Sequence, residues 1–146
     1  MIHFEGTREF PQPPILVFAS LGDASFLVDS VKDVQDLSVR TVDRAVWKLQ
    51  PKLSFVRTKL DISMDIVERS EATGIKVKLV SRGIGATATV NATLQVEAAG
   101  TGSRVKWAAD VAELTGLLKL VPKGLITSTA QKVIEETWDE IGAKFG

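Results

Sequence analysis

The chain has 146 residues, 45% of them hydrophobic, and its 18 basic side chains balance 18 acidic ones. This length and composition exclude a disordered chain and predict one globular domain over residues 1–146. The zero net charge argues against nucleic-acid binding, and the absence of cysteine excludes disulfides and thiolate chemistry. Because we find no secretory signal and no long apolar run, we expect a cytoplasmic protein without a transmembrane segment.

The N-terminal part of the chain predicts one strand followed by two short helices. Residues Ile2–Phe10 read as a first strand, which Pro11 ends. Pro14 suits the first turn of a helix, where its missing N–H costs nothing, and the apolar residues after it predict a short helix closed at Gly22. A second helical turn is predicted over Phe26–Val31.

From Val34 onward, apolar and polar residues alternate with a period of two, which is typical of β-strands. In one long segment Leu60, Ile62 and Met64 alternate with polar residues, so the two sets lie on opposite faces of the strand. Strands with one apolar face belong in an antiparallel sheet that keeps its other face in solvent. The predicted strands are Val34–Arg40, Asp43–Leu49, Val56–Glu68, Gly74–Gly83, Thr87–Ala98 and Ser103–Leu114.

The segment Pro122–Phe145 predicts one long C-terminal helix. Its apolar residues recur at steps of three and four, and we expect the stripe through Ile126, Val133 and Ile141 to be buried. A long helix with such a stripe needs a large concave sheet to lie against, and a long sheet curls as it twists. The sequence therefore predicts an α+β fold in which a curved antiparallel sheet of about seven strands grips the helix around an internal cavity.

Large residues whose strand or helix phase faces this cavity are the candidates for a ligand-binding wall, because aromatic rings and adaptable methionine suit a planar or lipid-like ligand. Among polar residues, Glu113 follows Val111 in the inward phase and is a candidate to orient a ligand. The alternative is that the strand phase is lost near its end and Glu113 points outward. Thr58 and Ser81 also continue inward phases. The candidate cavity residues are Phe4, Phe26, Trp47, Met64, Leu79, Leu94, Trp107, Val111, Glu113, Ile126, Val133 and Trp138.

Histidine and cysteine, which often carry catalysis or bind transition metals, are scarce in this sequence. His3 is the only histidine, and at the end of the first strand it is predicted to be a surface residue. The glycine-rich turn Gly83–Ala86 leads into a strand, whereas a phosphate-binding loop leads into a helix. Asp61 and Asp65 alternate with apolar residues and should point to solvent. We therefore predict no catalytic residue, no metal site and no cofactor.

Three stretches, together with the final helix, carry a family resemblance. The first strand continues into FPQPPILVFASLGD at 10–23, a proline-rich turn and a short helix. A glycine-rich turn leads into a valine-patterned strand in SRGIGATATVNATLQV at 81–96, and GSRVKWAADVAELTGLLKLV at 102–121 holds a mid-strand tryptophan before the helix. These features resemble the START-like superfamily, which has the helix-grip fold, and within it the family of carbon monoxide dehydrogenase G subunits. Leu27–Val31 depart from that family because they lack its Ile-Pro-Gly-like turn.

The resemblance implies a common use of this fold, which is the binding of an apolar small molecule in the cavity. We therefore favour a non-catalytic binding or carrier domain for a lipid- or quinone-like molecule. Two alternatives stay open. One is an interaction module that recruits a redox enzyme to the membrane, as the likeness to the dehydrogenase family implies, and the other is a polyketide cyclase- or dehydratase-like enzyme. The ligand's identity, peripheral membrane contact, a homodimer and a partner enzyme also stay open.

Overall fold

The computed structural model describes residues 2–50, 59–70, 74–83 and 85–145. The predicted α+β fold, a curved antiparallel sheet with a long C-terminal helix and two short helices after the first strand, is confirmed. The predicted beginning of the fourth strand, at residues 56–58, lies outside the described residues. In chain order the elements are β1 (Ile2–Phe10), α1 (Pro14–Leu21), α2 (Ala24–Val28), β2 (Gln35–Arg40), β3 (Arg44–Leu49), β4 (Leu60–Ser70), β5 (Gly74–Gly83), β6 (Ala86–Ala99), β7 (Gly102–Leu114), a 3₁₀ helix (Gly116–Leu120) and α3 (Lys123–Phe145).

The second short helix begins earlier than predicted because Asp23 caps it. The Asp23 carboxylate accepts a hydrogen bond from the Ser25 N–H at 2.8 Å, which satisfies a backbone donor of the first turn. The helix therefore covers Ala24–Val28 instead of Phe26–Val31. The first helix begins at Pro14, in agreement with the prediction.

The seven strands lie in the order β1-β7-β6-β5-β4-β3-β2, and every neighbouring pair is antiparallel. Strands β2 to β7 therefore form a meander, and β1 joins its far edge beside β7. Register shifts interrupt three of the pairs, β2–β3, β4–β5 and β6–β7. Because such bulges bend a strand and increase its twist, they help the sheet to curl around α3.

The C-terminal half of α3 is held firmly at one end of the sheet. Trp138 and Ile141 are buried, and the Trp138 ring stacks on Phe10 with centroids 6.2 Å apart. Phe145 adds an edge contact to Phe10 at 5.0 Å. The side-chain amide of Gln12 donates a hydrogen bond to the carbonyl oxygen of Phe145, so a C-terminal carbonyl of α3 has a partner.

An ionic contact adds to this attachment on the inner side of β1. The Arg8 guanidinium donates to a carboxylate oxygen of Glu135 at 2.7 Å and to one of Asp139 at 3.0 Å. These two carboxylates lie one helical turn apart on α3, so a single arginine contacts both. The contact connects the first strand of the chain to the last helix.

The N-terminal half of α3 is more exposed than its C-terminal half, and here one prediction is wrong. Val133 belongs to the apolar stripe but is 48% exposed, and Ile126 is only partly buried. The stripe is therefore closed against the core at Trp138 and Ile141 but not at Val133. The physical reason is that the anchoring contacts described above all involve residues of α3 from Glu135 onward, in its C-terminal half.

Candidate functional site

A cavity of about 400 Å³ lies between the concave face of the sheet and α3. Its wall comes from inward-facing strand residues, from α2 and the segment after it, and from one side of α3. Small side chains on neighbouring strands, Ala88, Ala92 and Ala109, leave space that the helix does not fill. Val133 lines the cavity although half of its surface is exposed, so the cavity reaches the surface beside α3.

Nearly the whole wall consists of carbon atoms. Among the described residues that line the cavity none is charged, and the polar side chains are Ser81, Thr137 and the indoles of Trp47, Trp107 and Trp138. The Thr137 hydroxyl donates to the Val133 carbonyl oxygen at 2.8 Å. The indole N–H groups of Trp47 and Trp107 are buried and meet no acceptor within the described part of the chain. This wall can surround an apolar molecule, but its described residues include no nucleophile paired with a base.

Most of the candidate residues from the sequence meet in this cavity. They come from six strands of the sheet, all except β2, as well as from α3, and are distant in sequence. Their contact with a ligand stays a prediction. The candidates that line the cavity are Phe4, Trp47, Met64, Leu79, Leu94, Trp107, Val111, Val133 and Trp138.

Glu113 does not face the cavity, and a β-bulge is the reason. Val90 pairs with Val111, but the next pair joins Thr89 to Glu113, so Ala112 is an extra residue on β7. An extra residue reverses which side chains face inward beyond it. Glu113 is therefore turned to the outer face with Thr89, and it is exposed. The predicted role of Glu113 in orienting a ligand is corrected accordingly.

Phe26 and Ile126 also lie outside the cavity wall. The Phe26 ring stacks on Phe145 with centroids 5.4 Å apart, and the Lys144 ammonium lies 5.1 Å from its ring centroid. Ile126, in the N-terminal half of α3, packs against the core but is not among the residues that line the cavity. Of the two other polar candidates, Ser81 lines the cavity and Thr58 is outside the described residues.

Several lining residues are absent from the candidates that the sequence suggested, notably Leu27 and Val31 from α2 and the segment after it. Their spacing of four residues is an amphipathic signal that is present in the sequence, but the larger Phe26 lies beside them and favours the wrong face. On α3, Ala130, Ile134 and Ile141 complete the wall. Ile134 and Ile141 belong to the predicted apolar side of the helix, so periodicity could have found them.

His3 lies on the outer face of the sheet, away from the cavity. Its Nδ1 is 2.5 Å from a carboxylate oxygen of Asp110, its partner on β7, and its Nε2 is 3.1 Å from Glu5. The Asp110 carboxylate first, and Glu5 second, raise the pKa of His3 above its ordinary value of 6.5, because both stabilise the imidazolium. The exposed position and the carboxylate partners indicate a cross-strand surface contact.

We expect the imidazole of His3 to titrate above pH 6.5 in NMR spectra of the folded protein. Because the folded-state pKa is raised, the stabilisation from this contact is fully present below pH 6.5 and is lost as the pH rises through the folded-state pKa. Asp110→Asn should move the midpoint back toward 6.5, and Glu5→Gln should move it less. Equal midpoints in the parent and Asp110→Asn would contradict the contact.

A family model described as the G subunit of carbon monoxide dehydrogenase (CoxG) matches residues 6–146. The chain belongs to this family. The resemblance predicted from the sequence, to the START-like superfamily and to the CoxG proteins within it, is confirmed. No curated protein matches the sequence.

This CoxG family member also shares its fold with solved structures. A conserved protein from Geobacillus kaustophilus aligns with a TM-score of 0.82 at 14% identity, over 99% of this chain and 95% of that one. A START superfamily protein from Mycobacterium smegmatis aligns with a TM-score of 0.72 at 11% identity, over 98% of this chain and 96% of that one. At such low identities the likeness is one of fold.

The described helices of this CoxG family member differ in length, and α3 is the longest of them. Within residues 2–50, 59–70, 74–83 and 85–145, no helix combines the length and the apolar composition that crossing a membrane requires. Its longest helix, α3, carries charged residues such as Lys132, Glu136 and Asp139.

Proposed function

We propose that this protein binds and carries a neutral, hydrophobic small molecule, lipid- or quinone-like, in the cavity between the sheet and α3. The observation that carries the proposal is a void of about 400 Å³ whose described wall contains no charged side chain. The START-like fold of the family is consistent with a ligand-binding domain. Such a wall shields the bound molecule from water while the protein carries it.

The size of the cavity and its apolar wall favour such a ligand energetically. Apolar cavities stay empty of water because water finds no partners there, and an apolar void of about 150 Å³ takes up benzene. A void of about 400 Å³ has room for a molecule of roughly 12 to 18 carbon atoms by the same scale. Each Å² of apolar surface removed from water contributes about 25 cal/mol before the ordering costs of binding.

The chemistry of the wall selects against charge. Transferring an unpaired carboxylate or ammonium into such surroundings costs many kcal/mol, so a charged group would have to remain at the opening beside Val133. Neutral rings and chains carry no such cost. We therefore expect neutral aromatic or isoprenoid compounds to bind more tightly than their carboxylate analogues.

An interaction module is the second candidate function, and two observations favour it. The family is described by its association with carbon monoxide dehydrogenase. In addition, Leu120 in the 3₁₀ helix is 80% exposed and Leu125 at the start of α3 is 40% exposed, which suits a contact surface. The two functions are compatible, because a carrier can deliver its ligand to an enzyme that it contacts.

A cyclase- or dehydratase-like activity has the least support. Such an enzyme needs polar groups that converge on a substrate, including one that can transfer a proton. Within the described cavity wall the hydroxyls are those of Ser81 and Thr137, and the latter donates to the helix backbone. The catalytic alternative therefore ranks below the carrier and the interaction module.

Native mass spectrometry of the purified protein tests the proposed function directly. We expect a population with the mass of one apolar molecule added, which organic extraction removes and identifies. Binding of compounds from a panel of fatty acids, isoprenoids and quinones should raise the melting temperature, because ligands that bind the folded state alone stabilise it. A protein that shows neither an added mass nor a thermal shift would make the interaction module the leading candidate.

We also expect apolar ligands to change tryptophan emission, chiefly through Trp107. Its ring lines the cavity and lies 6.0 Å from the ring of Trp138, centroid to centroid. The Trp107→Phe variant should remain folded and keep its thermal shift with ligand, but should lose most of the emission change. The Trp47→Phe variant is the matched control, since Trp47 also lines the cavity. An undiminished emission change in Trp107→Phe would contradict the role of Trp107 as the main reporter of the ligand.

A further inference from the structure

Gly6 occupies the middle of β1, between the cavity residue Phe4 and Arg8. It pairs across the strands with Trp107 of β7. Glycine in the middle of a strand weakens it, because the residue loses much conformational freedom and has no side chain to pack. A glycine at this position therefore calls for a physical reason, and the neighbouring indole supplies one.

The indole of Trp107 lies directly against the backbone of Gly6. A β-carbon placed on Gly6 would lie 2.8 Å from Cζ2 of the indole and 3.0 Å from both Cε2 and Nε1. Such distances are well below van der Waals contact, so any side chain at this position must move the ring. The absence of a side chain on Gly6 thus determines where the ring of Trp107 lies.

The neighbours of the ring restrict the directions in which it can move. The backbone of β1 lies on its Gly6 side, and the residue that pairs with Trp107 on β6 is the buried Leu94. Trp138 lies at 6.0 Å and is itself buried. The cavity, which Trp107 already lines, is open space beside the ring, so an indole displaced into it would enter the volume that a ligand uses.

We propose that Gly6, through Trp107, sets the upper size limit for molecules that fit the cavity. This inference rests on the proposed function and adds the residue pair that makes the site selective for size. With glycine at position 6 the indole lies close against β1, and the cavity accepts a neutral apolar molecule that fills most of it. With a β-carbon at position 6 the same cavity accepts only smaller molecules of that class.

Two neutral aromatic hydrocarbons of different size, naphthalene and pyrene, provide the test. Dissociation constants are measured by pyrene emission and by displacement of pyrene with naphthalene. We expect Gly6→Ala to weaken pyrene binding by roughly tenfold or more, since even one methylene group in an apolar pocket changes affinity by about that factor. Naphthalene binding should stay within about threefold, because the smaller ring does not need the space near Trp107.

The matched control is Gly124→Ala, because a β-carbon on Gly124 meets nothing within 4 Å. This variant should bind both hydrocarbons like the parent. The double variant Gly6→Ala/Trp107→Phe should regain pyrene binding, since the smaller phenyl ring tolerates the new methyl group. Trp107→Phe alone should bind perylene, a larger ring system, more tightly than the parent does, and this result does not depend on the folding of Gly6→Ala.

The outcomes separate the two proposals. Loss of pyrene binding with retention of naphthalene, restored in the double variant, supports the size limit. Unchanged pyrene binding in a folded Gly6→Ala protein overturns it, and so does an equal loss of both hydrocarbons with a lower melting temperature, which would assign Gly6 a packing role alone. Binding of neither hydrocarbon to the parent protein would refute the proposed function itself.

Discussion

Replacing Ile141 by aspartate should unfold the protein or lower its melting temperature by more than about 10 °C. Ile141 is 2% exposed and is part of the core that holds the C-terminal half of α3 against the sheet. An unpaired carboxylate there costs several kcal/mol, which is comparable with the whole stability of a domain, about 5–15 kcal/mol. Thermal unfolding followed by circular dichroism measures the effect.

Two controls on the same helix make this prediction specific. Val133→Asp places the same charge on the same apolar stripe, but Val133 is 48% exposed, so its carboxylate stays hydrated and the loss should be about 1 kcal/mol or less. Lys132→Asp lies on the exposed side and should be nearly silent. If Val133→Asp destabilised the protein as much as Ile141→Asp, the difference in exposure between Val133 and Ile141 would be contradicted.

Ala92→Phe should abolish most ligand binding while the protein remains folded. Ala92 faces the cavity from the centre of the sheet, so a phenyl group there occupies existing space instead of forcing the core apart. Excluding about 100 Å² of apolar ligand surface, at about 25 cal/mol per Å², reduces affinity by roughly 10- to 100-fold. The thermal midpoint without ligand should stay the same or rise, because filling a void adds contacts.

Thr93→Phe provides the comparison for this prediction. Thr93 is the next residue on β6 and is exposed on the outer face, so the same phenyl group adds hydrophobic surface without entering the cavity. Ligand affinity in Thr93→Phe should equal that of the parent. Dissociation constants from fluorescence titration compare the two variants, and equal affinities in all three proteins would show that ligand binds outside this cavity.

The cavity-filled variant also separates the carrier from the interaction module. If the protein only contacts a redox enzyme through its surface, Ala92→Phe should retain that contact and its effect. If it delivers a ligand, Ala92→Phe should keep the contact and lose the effect. A surface substitution such as Leu120→Ser tests the converse, because Leu120 is exposed and is not among the cavity residues.

Much of the architecture followed from local patterns. Alternation along β4, with Ile62 and Met64 inward and Asp61 and Asp65 outward, predicted strands of a sheet with one wet face. Steps of three and four predicted α3 to within one residue of its observed start at Lys123. Such patterns predict the type of an element and its apolar face because the period of each element determines which side chains share a face.

The same patterns predicted which residues face the cavity only where the inward and outward alternation along a strand was uninterrupted. Trp107 and Val111 keep the inward phase of β7, and both line the cavity. Glu113 lies two residues further but beyond the bulge at Ala112, so its phase is reversed. A bulge is a relation between two strands, and the sequence of one strand carries no clear sign of it.

By itself, the sequence determined which elements form, which faces are apolar and that a helix would lie on a curved sheet. Only the tertiary structure decided how far these layers stand apart, with Ile141 buried, Val133 half exposed and a void between them. It also decided that the ring of Trp107 lies on the backbone of Gly6. The reason is that periodicity records the direction of each side chain, whereas a cavity depends on the separation of two surfaces, which long-range packing and anchoring contacts determine.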